Sequence, residues 1–410
     1  MSQFNPFFIN SNICLKQQDI SNFNTFMDII AGNTGNSYIT YALLKELGVD
    51  ASKICHIPSV YTHNFNEADL EYTQNASHIF LILQDQIRIA ESYGLQLPYK
   101  KIENLIKKSK KPLVITGLGA NSFTGFDKDF YKQLNPDLVH FLNFLSAHTP
   151  EIGVRGHFTA EVLNQIGIKN VRVIGCPSFY EMGANRVVQK TAKISLEDIL
   201  LTHSSAVLSL KKNHQICQDF QEEEIIRTIA FNENVNLPKS AICKNILKHK
   251  YHIFSNIEDW KHFISQFKFA FGDRLHGSIC ALNAGIPAMC TNTDSRAREM
   301  CEFLHIPYYP HVTKDTDVLK LYEQADIDGL NKHYPTLFKN FCNFIEKNVG
   351  VIPFSRQATI EQPTLRLYSG KNIAGLKRSF IGKKLKNIFY HKKRDSIRIL
   401  FFKFKTKKHQ

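Results

Sequence analysis

Phe271-Gly272-Asp273-Arg274-Leu275-His276-Gly277-Ser278 joins an apolar run, Phe267 to Phe271, to a helical pattern, Gly277 to Ala284. A short continuous apolar run reads as a strand buried on both faces of a parallel sheet. Strand, tight turn and helix together form the repeating unit of an α/β fold. The turn then lies at the carboxyl edge of the sheet, where open α/β folds bind ligands. Unpaired backbone N–H groups and the helix dipole favour an anion at that place. Arg274 adds a planar, permanently charged fork suited to carboxylate or phosphate. His276 adds a side chain that titrates near neutrality. An anion site beside a proton donor suits acid catalysis on an anionic substrate. Spacing alone leaves a second reading open, in which Arg274 pairs with Asp273 or another acid and His276 caps the helix.

The same alternation extends in both directions. Upstream, Met27 to Ala31 reads as a strand, and a turn at Gly32-Asn33-Thr34-Gly35-Asn36 leads into a helix from Ser37 to Leu47. Strands follow at His78–Leu83, Pro112–Thr116, Glu151–Val154 and Val171–Ile174, with a helix at Thr159–Ile166. Gly183 to Glu197 is polar and aperiodic and marks a boundary. A second series has strands at Ala206–Leu210, Tyr251–Phe254, Phe267–Phe271 and Ala288–Thr291. Its helices are Asp219–Phe231, Ile257–Gln266 and Gly277–Ala284, and Leu330–Val349 closes the body. The expected organisation is two α/β domains, 1–182 and 183–355, with a cleft between them and a basic tail, 356–410.

Composition excludes several classes. The chain has 410 residues, 43% hydrophobic and 21% charged, an ordinary globular balance rather than that of a disordered or collagen-like chain. No run of eighteen apolar residues reads as a membrane-spanning helix. Met1 to Asn10 lacks a basic start followed by an apolar run, so no secretory signal is expected there. The nine cysteines are scattered, with no C-x-x-C pair; buried, reduced thiols of a cytoplasmic protein are the expectation. The net charge is +14. Residues 371–410 hold fourteen Lys and Arg against the single acid Asp395, so the body is nearly neutral and nucleic acid is not an expected partner. Phe380, Ile381, Leu385, Ile388 and Phe389 recur in the tail at helical spacing. A basic amphipathic helix with aromatic residues is expected to sit on an anionic membrane surface, with about 1 kcal/mol of attraction per basic residue. A solvated, disordered tail and an RNA-binding tail are the alternatives.

Three stretches resemble the polysaccharide pyruvyl transferase family. Gly272-Asp273-Arg274-Leu275-His276-Gly277, with Ala281 to Pro287, is similar to its G-x-R-L-H, alanine-rich helix and G-x-P signature. Val154-Arg155-Gly156-His157 resembles its arginine-bearing strand end, and Gly175-Cys176-Pro177-Ser178 its G-[CD]-P-[SA] turn. Asn36 departs from the aspartate usual after the N-x-G of the first turn. The resemblance implies two Rossmann-like domains in a GT-B-like arrangement. It implies transfer of pyruvate from phosphoenolpyruvate to two hydroxyls of a sugar, on a cell-surface polysaccharide or its lipid-linked precursor, at the cytoplasmic membrane face. Phosphoenolpyruvate is then the donor substrate and no cofactor is required; a divalent metal is left open. His276 is the expected general acid. Arg274 and Arg155 are the expected anion ligands, Arg155 reaching in from the other domain; an interdomain ion pair is the alternative for Arg155.

Further candidates lie after other strands. In Asn292-Thr293-Asp294-Ser295-Arg296, Asp294 is a candidate acceptor of a hydroxyl proton and Arg296 an anion ligand. A helix cap at Asp294 or Ser295 is expected as well. Asn292, Ser295, Gly277, Asn33, Gly35, Gly119 and Asn121 are candidate substrate contacts, although Gly117 to Asn121 also reads as a plain tight turn. Gln84, Asp85 and His157 are minor candidates. No His or Cys spacing suggests a metal. Two rival functions stay open: a glycosyltransferase using a nucleotide-sugar, and a non-catalytic carbohydrate- or membrane-binding protein.

Overall fold

The computed structural model describes residues 4–15, 24, 34–89, 97–122, 125–202, 215–218, 251–313 and 315–363. All of these belong to one unit, Met1–Gln221 with Tyr251–Leu365; a second unit, Glu222–Lys250 with Arg366–Gln410, lies outside them.

Two parallel sheets organise the described residues. The first contains β1 (Phe7–Ile9), β2 (His56–Ile57), β3 (Ile79–Ile82), β5 (Leu113–Leu118), β7 (Ile152–Val154) and β8 (Val171–Val173), in the order β2-β1-β3-β5-β7-β8. The second contains β9 (Ile199–Thr202), β10 (Gln215–Gln218), β11 (Tyr251–Ile253), β12 (Phe269–Gly272) and β13 (Ala288–Cys290), in the order β11-β10-β9-β12-β13. Every pairing in both is parallel. A two-strand ribbon, β4 (Ile87–Arg88) with β6 (Ala120–Asn121), runs beside the first. Parallel strands need crossovers, and helices supply them. In the first half these are α1 (Thr34–Leu47), α2 (Glu67–Asn75), α3 (Tyr99–Ser109), α4 (Pro136–Ala147) and α5 (His157–Gln165). The second half has α6 (Ile257–Ile264), α7 (Leu275–Asn283), α8 (Ser295–Leu304), α9 (Val318–Gln324) and α10 (Ile327–Val349). Helices on both faces explain why Ile79–Ile82 and Phe269–Gly272 are buried at every position.

The last helix crosses back to the first sheet. Asn340 of α10 donates to the Val173 carbonyl (2.8 Å), and Asn348 accepts from the Glu151 amide (3.1 Å). Gly153 leaves room for Phe344: a Cβ there would lie 2.7 Å from the ring. A second tie is charged. Buried Glu181, just after the last first-sheet strand, meets Lys261 of α6 at 2.9 Å and Lys45 of α1.

Several expectations change. The first strand is Phe7–Ile9, inside a segment too polar to show periodicity. Three residues suffice because β1 pairs on both sides, with β2 and β3. The expected strand Met27–Ala31 lies outside the described residues, as do strand Ala206–Leu210, helix Asp219–Phe231 and the tail 371–410. Gly117 to Asn121 is not a plain turn. Strand β5 runs on to Leu118 through Gly117, whose φ is +68°, and the β5–β7 register shifts between Ile115 and Leu118. A shift of this kind re-aims the chain beyond it. Here it carries Gly119 beneath Arg155.

Candidate active site

Arg155, Arg274, His276, Asn292, Asp294 and Arg296 line one pocket with Asn36, Gln84, Asp85 and Asp273. These residues follow β3, β7, β12 and β13 or begin α1, so the pocket joins the carboxyl edges of both sheets. Charge is concentrated there: three guanidiniums, three aspartates and one imidazole.

Arg155 sits where β7 ends. Its amide donates to the Leu118 carbonyl (2.9 Å), and its side chain is 3% exposed. Gly119 makes room for it: a Cβ at 119 would lie 2.8 Å from Arg155 Cδ. Arg155 Nε has no hydrogen-bond partner, and no carboxylate forms an ion pair with the guanidinium among the described residues. Asp85 and Glu299 act on it electrostatically from farther away.

Arg296 is the opposite case. Its guanidinium donates to Asp85 (2.8 Å) and to Asp294 (2.7 Å). Burial pushes the Asp85 carboxyl up, but Arg296, Arg155 and Arg88 outweigh it and hold the group below the usual aspartate value. Asp294 also caps α8, accepting from the Ala297 amide (2.8 Å). Asn292 braces the same loop, donating to the Asp273 carbonyl (3.0 Å) and accepting from the Asp294 amide (2.9 Å). Ser295 is fully buried and ties the halves together, accepting from the Ser122 amide (2.8 Å) and donating to the Ala120 carbonyl (3.1 Å).

Arg274 is the N-cap of α7, and its Nε lies 3.9 Å from Asp273. His276 follows in the first turn. The strand-to-helix turn passes close under β9: a Cβ at Gly272 would lie 1.5 Å from the Thr202 carbonyl oxygen, and one at Gly277 2.7 Å from Thr202 Cγ2. Gly277 therefore faces Thr202. Gly35, in the first turn of α1, faces His276: a Cβ there would lie 2.4 Å from Nδ1. On its other edge, His276 Nε2 lies 3.6 Å from Cys176 Sγ. Burial, then Arg155, then Arg296 push the imidazole down to about 3. The resting ring is neutral at pH 7.

Of the remaining candidates, Asn121 is buried on the β6 ribbon with Oδ1 unpartnered. His157 is exposed and packs edge-on to Phe303, away from this pocket. Asn33 lies outside the described residues. No group of three His, Cys, Asp or Glu among the described residues is arranged to hold a metal. Sequence reasoning missed Glu299. It is buried on α8 and accepts from the Thr159 amide (2.9 Å) and hydroxyl (2.6 Å). The carboxylate thus caps α5, whose own N-cap, Gly156, has no side chain to do so. Burial raises the Glu299 carboxyl to about 7. Its one legible signal was an acid placed between Ala297 and Met300 on an apolar helix face.

The sequence model of the family described as polysaccharide pyruvyl transferase matches residues 33–295. No curated protein matches the chain. Among solved structures, a putative UDP-N-acetylglucosamine 2-epimerase from Listeria monocytogenes is 10% identical, covering 88% of this chain and 100% of its own (TM-score 0.45). Anabaena Alr3699/HepE in complex with UDP and glucose is 8% identical, covering 84% and 96% (TM-score 0.40). A Methanocaldococcus jannaschii UDP-GlcNAc 2-epimerase is 9% identical, covering 92% and 99% (TM-score 0.36). The two parallel α/β sheets share this edge pocket.

Proposed function

We propose, from the premise that this chain belongs to the polysaccharide pyruvyl transferase family, that it transfers pyruvate from phosphoenolpyruvate to two hydroxyls of a polysaccharide sugar. The observation that carries the reading is Arg155. A buried guanidinium without an ion pair costs several kcal/mol of desolvation, and an anionic ligand in the adjoining pocket removes that cost. Phosphoenolpyruvate brings a carboxylate and a phosphate. Arg155 and Arg274 bind these groups, one from each half. Arg296, already held by two aspartates, shapes the field rather than supplying free charge.

His276 is the general acid. Arg155 and Arg296 oppose its protonation, so the donor's negative charge, by offsetting them, raises the imidazole pKa on binding. The imidazolium then protonates the terminal methylene of the enol. The carbon bearing the phosphate becomes oxocarbenium-like and is attacked by a sugar hydroxyl. The imidazole regains its proton from that hydroxyl, phosphate leaves with its bridging oxygen and takes up the proton of the second hydroxyl, and that second oxygen closes the cyclic ketal. The acceptor is a cell-surface polysaccharide or a lipid-linked precursor, and residues 371–410 hold the enzyme against the anionic cytoplasmic membrane face. No helix among the described residues is long and apolar enough to cross a membrane.

Phosphate release from phosphoenolpyruvate with a panel of sugars, run beside His276→Ala, tests the reaction. Release that requires both the sugar and His276 supports it. A thermal shift with a nucleoside diphosphate and none with phosphoenolpyruvate would replace it with nucleotide-sugar transfer. Vesicle co-sedimentation tests the tail; binding unchanged by deletion of 371–410 would remove it from membrane attachment.

A further inference from the structure

The motif Gly175-Cys176-Pro177-Ser178 has no part in the mechanism so far, yet it touches the proposed acid. Cys176 is fully buried, with Sγ 3.6 Å from His276 Nε2 and 3.0 Å from Ser178 Oγ. Either Ser178 Oγ or Cys176 Sγ can be the donor in the contact between them. Burial pushes the Cys176 thiol up, so the sulfur keeps its proton. With the Ser178 hydroxyl donating to the sulfur, the thiol's own S–H is left to give, and Nε2 stands within reach. At the other edge of the ring, Gly35 presents no side chain to Nδ1.

We propose that Cys176 is a positioning residue for His276: its thiol donates to Nε2, fixing the tautomer with the ring proton on Nδ1. In a neutral imidazole one nitrogen donates and the other accepts, and the partner of one sets the state of the other. Cys176 therefore decides which nitrogen carries the proton before the donor arrives. No covalent bond forms or breaks. Arg155 from β7 and Arg296 from α8 act on the ring beside Cys176. Asp85, Asp273, Asp294 and Arg274 complete the charged groups of the same pocket.

Full-length protein labelled with [15N]histidine tests this, with His276 assigned by its loss in His276→Gln. Wild type should show a single tautomer protonated at Nδ1. Cys176→Ala should average the two tautomers and shift the imidazole pKa, and Cys176→Ser should restore the fixed form. The inference rests on His276 being the acid, so turnover is read in parallel. Cys176→Ala should lower kcat about tenfold, as loss of an orienting partner commonly does, with KM for phosphoenolpyruvate unchanged and Cys176→Ser recovering most of the rate. A wild-type ring protonated at Nε2, or a Cys176→Ala spectrum identical to wild type, overturns the proposal. Should His276→Ala keep full turnover while the spectra shift as expected, the acid role fails and the Cys176 contact stands. Should His276→Ala be inactive and Cys176→Ala be wild type in spectrum and rate, the contact alone fails.

Discussion

Arg155 and Arg296 face one pocket from opposite sheets, and they are built differently. Arg155, at the end of β7, is 3% exposed and has no carboxylate partner among the described residues. Arg296, at the start of α8, is clamped by Asp85 and Asp294. An unpaired buried charge lowers stability and waits for a ligand, whereas a paired one holds structure and meets a ligand already neutralised. The first sheet thus supplies free charge. The second supplies His276, the proposed proton donor, and a braced, capped loop.

The largest effect should come from the proton donor. His276→Ala should lower turnover about 10²- to 10⁴-fold, the usual range for a lost general acid, with circular dichroism and melting temperature preserved. Next, the two arginines should separate binding from stability. Arg155→Gln removes a charge-assisted contact of about 1.5–3 kcal/mol, so half-saturation by phosphoenolpyruvate should rise about 10- to 100-fold, while the melting temperature holds or rises. Arg296→Gln leaves Asp85 and Asp294 without the guanidinium that bridges them and should cost about 1–3 kcal/mol in denaturant unfolding, below the fully buried limit because the group is partly exposed. If both variants lost stability equally, the contrast would collapse.

Gly35→Ala sharpens the comparison from the first-sheet side. Its Cβ would meet the His276 ring at 2.4 Å, so turnover should fall with the fold retained. A smaller effect is expected from Glu299, which joins the two sides through Thr159. Its carboxyl is raised to about 7 in the fold against 4.5 ordinarily. Between these values the unfolded chain has lost the proton that the fold keeps. The stability contribution is therefore full below about pH 4.5 and is lost as pH rises toward 7. Melting temperature should fall over that window in wild type and less steeply in Glu299→Gln. An identical slope in both would remove Glu299 as its source. The smallest change is Ser295→Ala, which removes the bonds to the Ser122 amide and the Ala120 carbonyl and should cost about 1 kcal/mol without altering donor saturation.

The parallel α/β character was legible because Ile79–Ile82, Leu113–Leu118 and Phe269–Gly272 are, Thr116 apart, without polar side chains, as burial on both faces favours. Arg274 and His276 were legible because strand, turn and helix are local, and that local order puts them at an anion-favouring helix start. Phe7–Ile9 was not legible: three residues carry no period, and the strand exists through partners far along the chain. The spatial relations within the site were equally hidden. That Gly35 clears His276, that Gly119 clears Arg155, and that Cys176 and Glu299 reach across between the halves are all contacts between residues distant in sequence. The order of residue types along the chain determined the chemistry available, an imidazole and several guanidiniums at sheet edges. Tertiary packing alone decided which guanidinium is left unpaired, which acid caps a helix and which thiol meets the imidazole, because pairing and desolvation depend on distances between segments that the chain brings together only on folding.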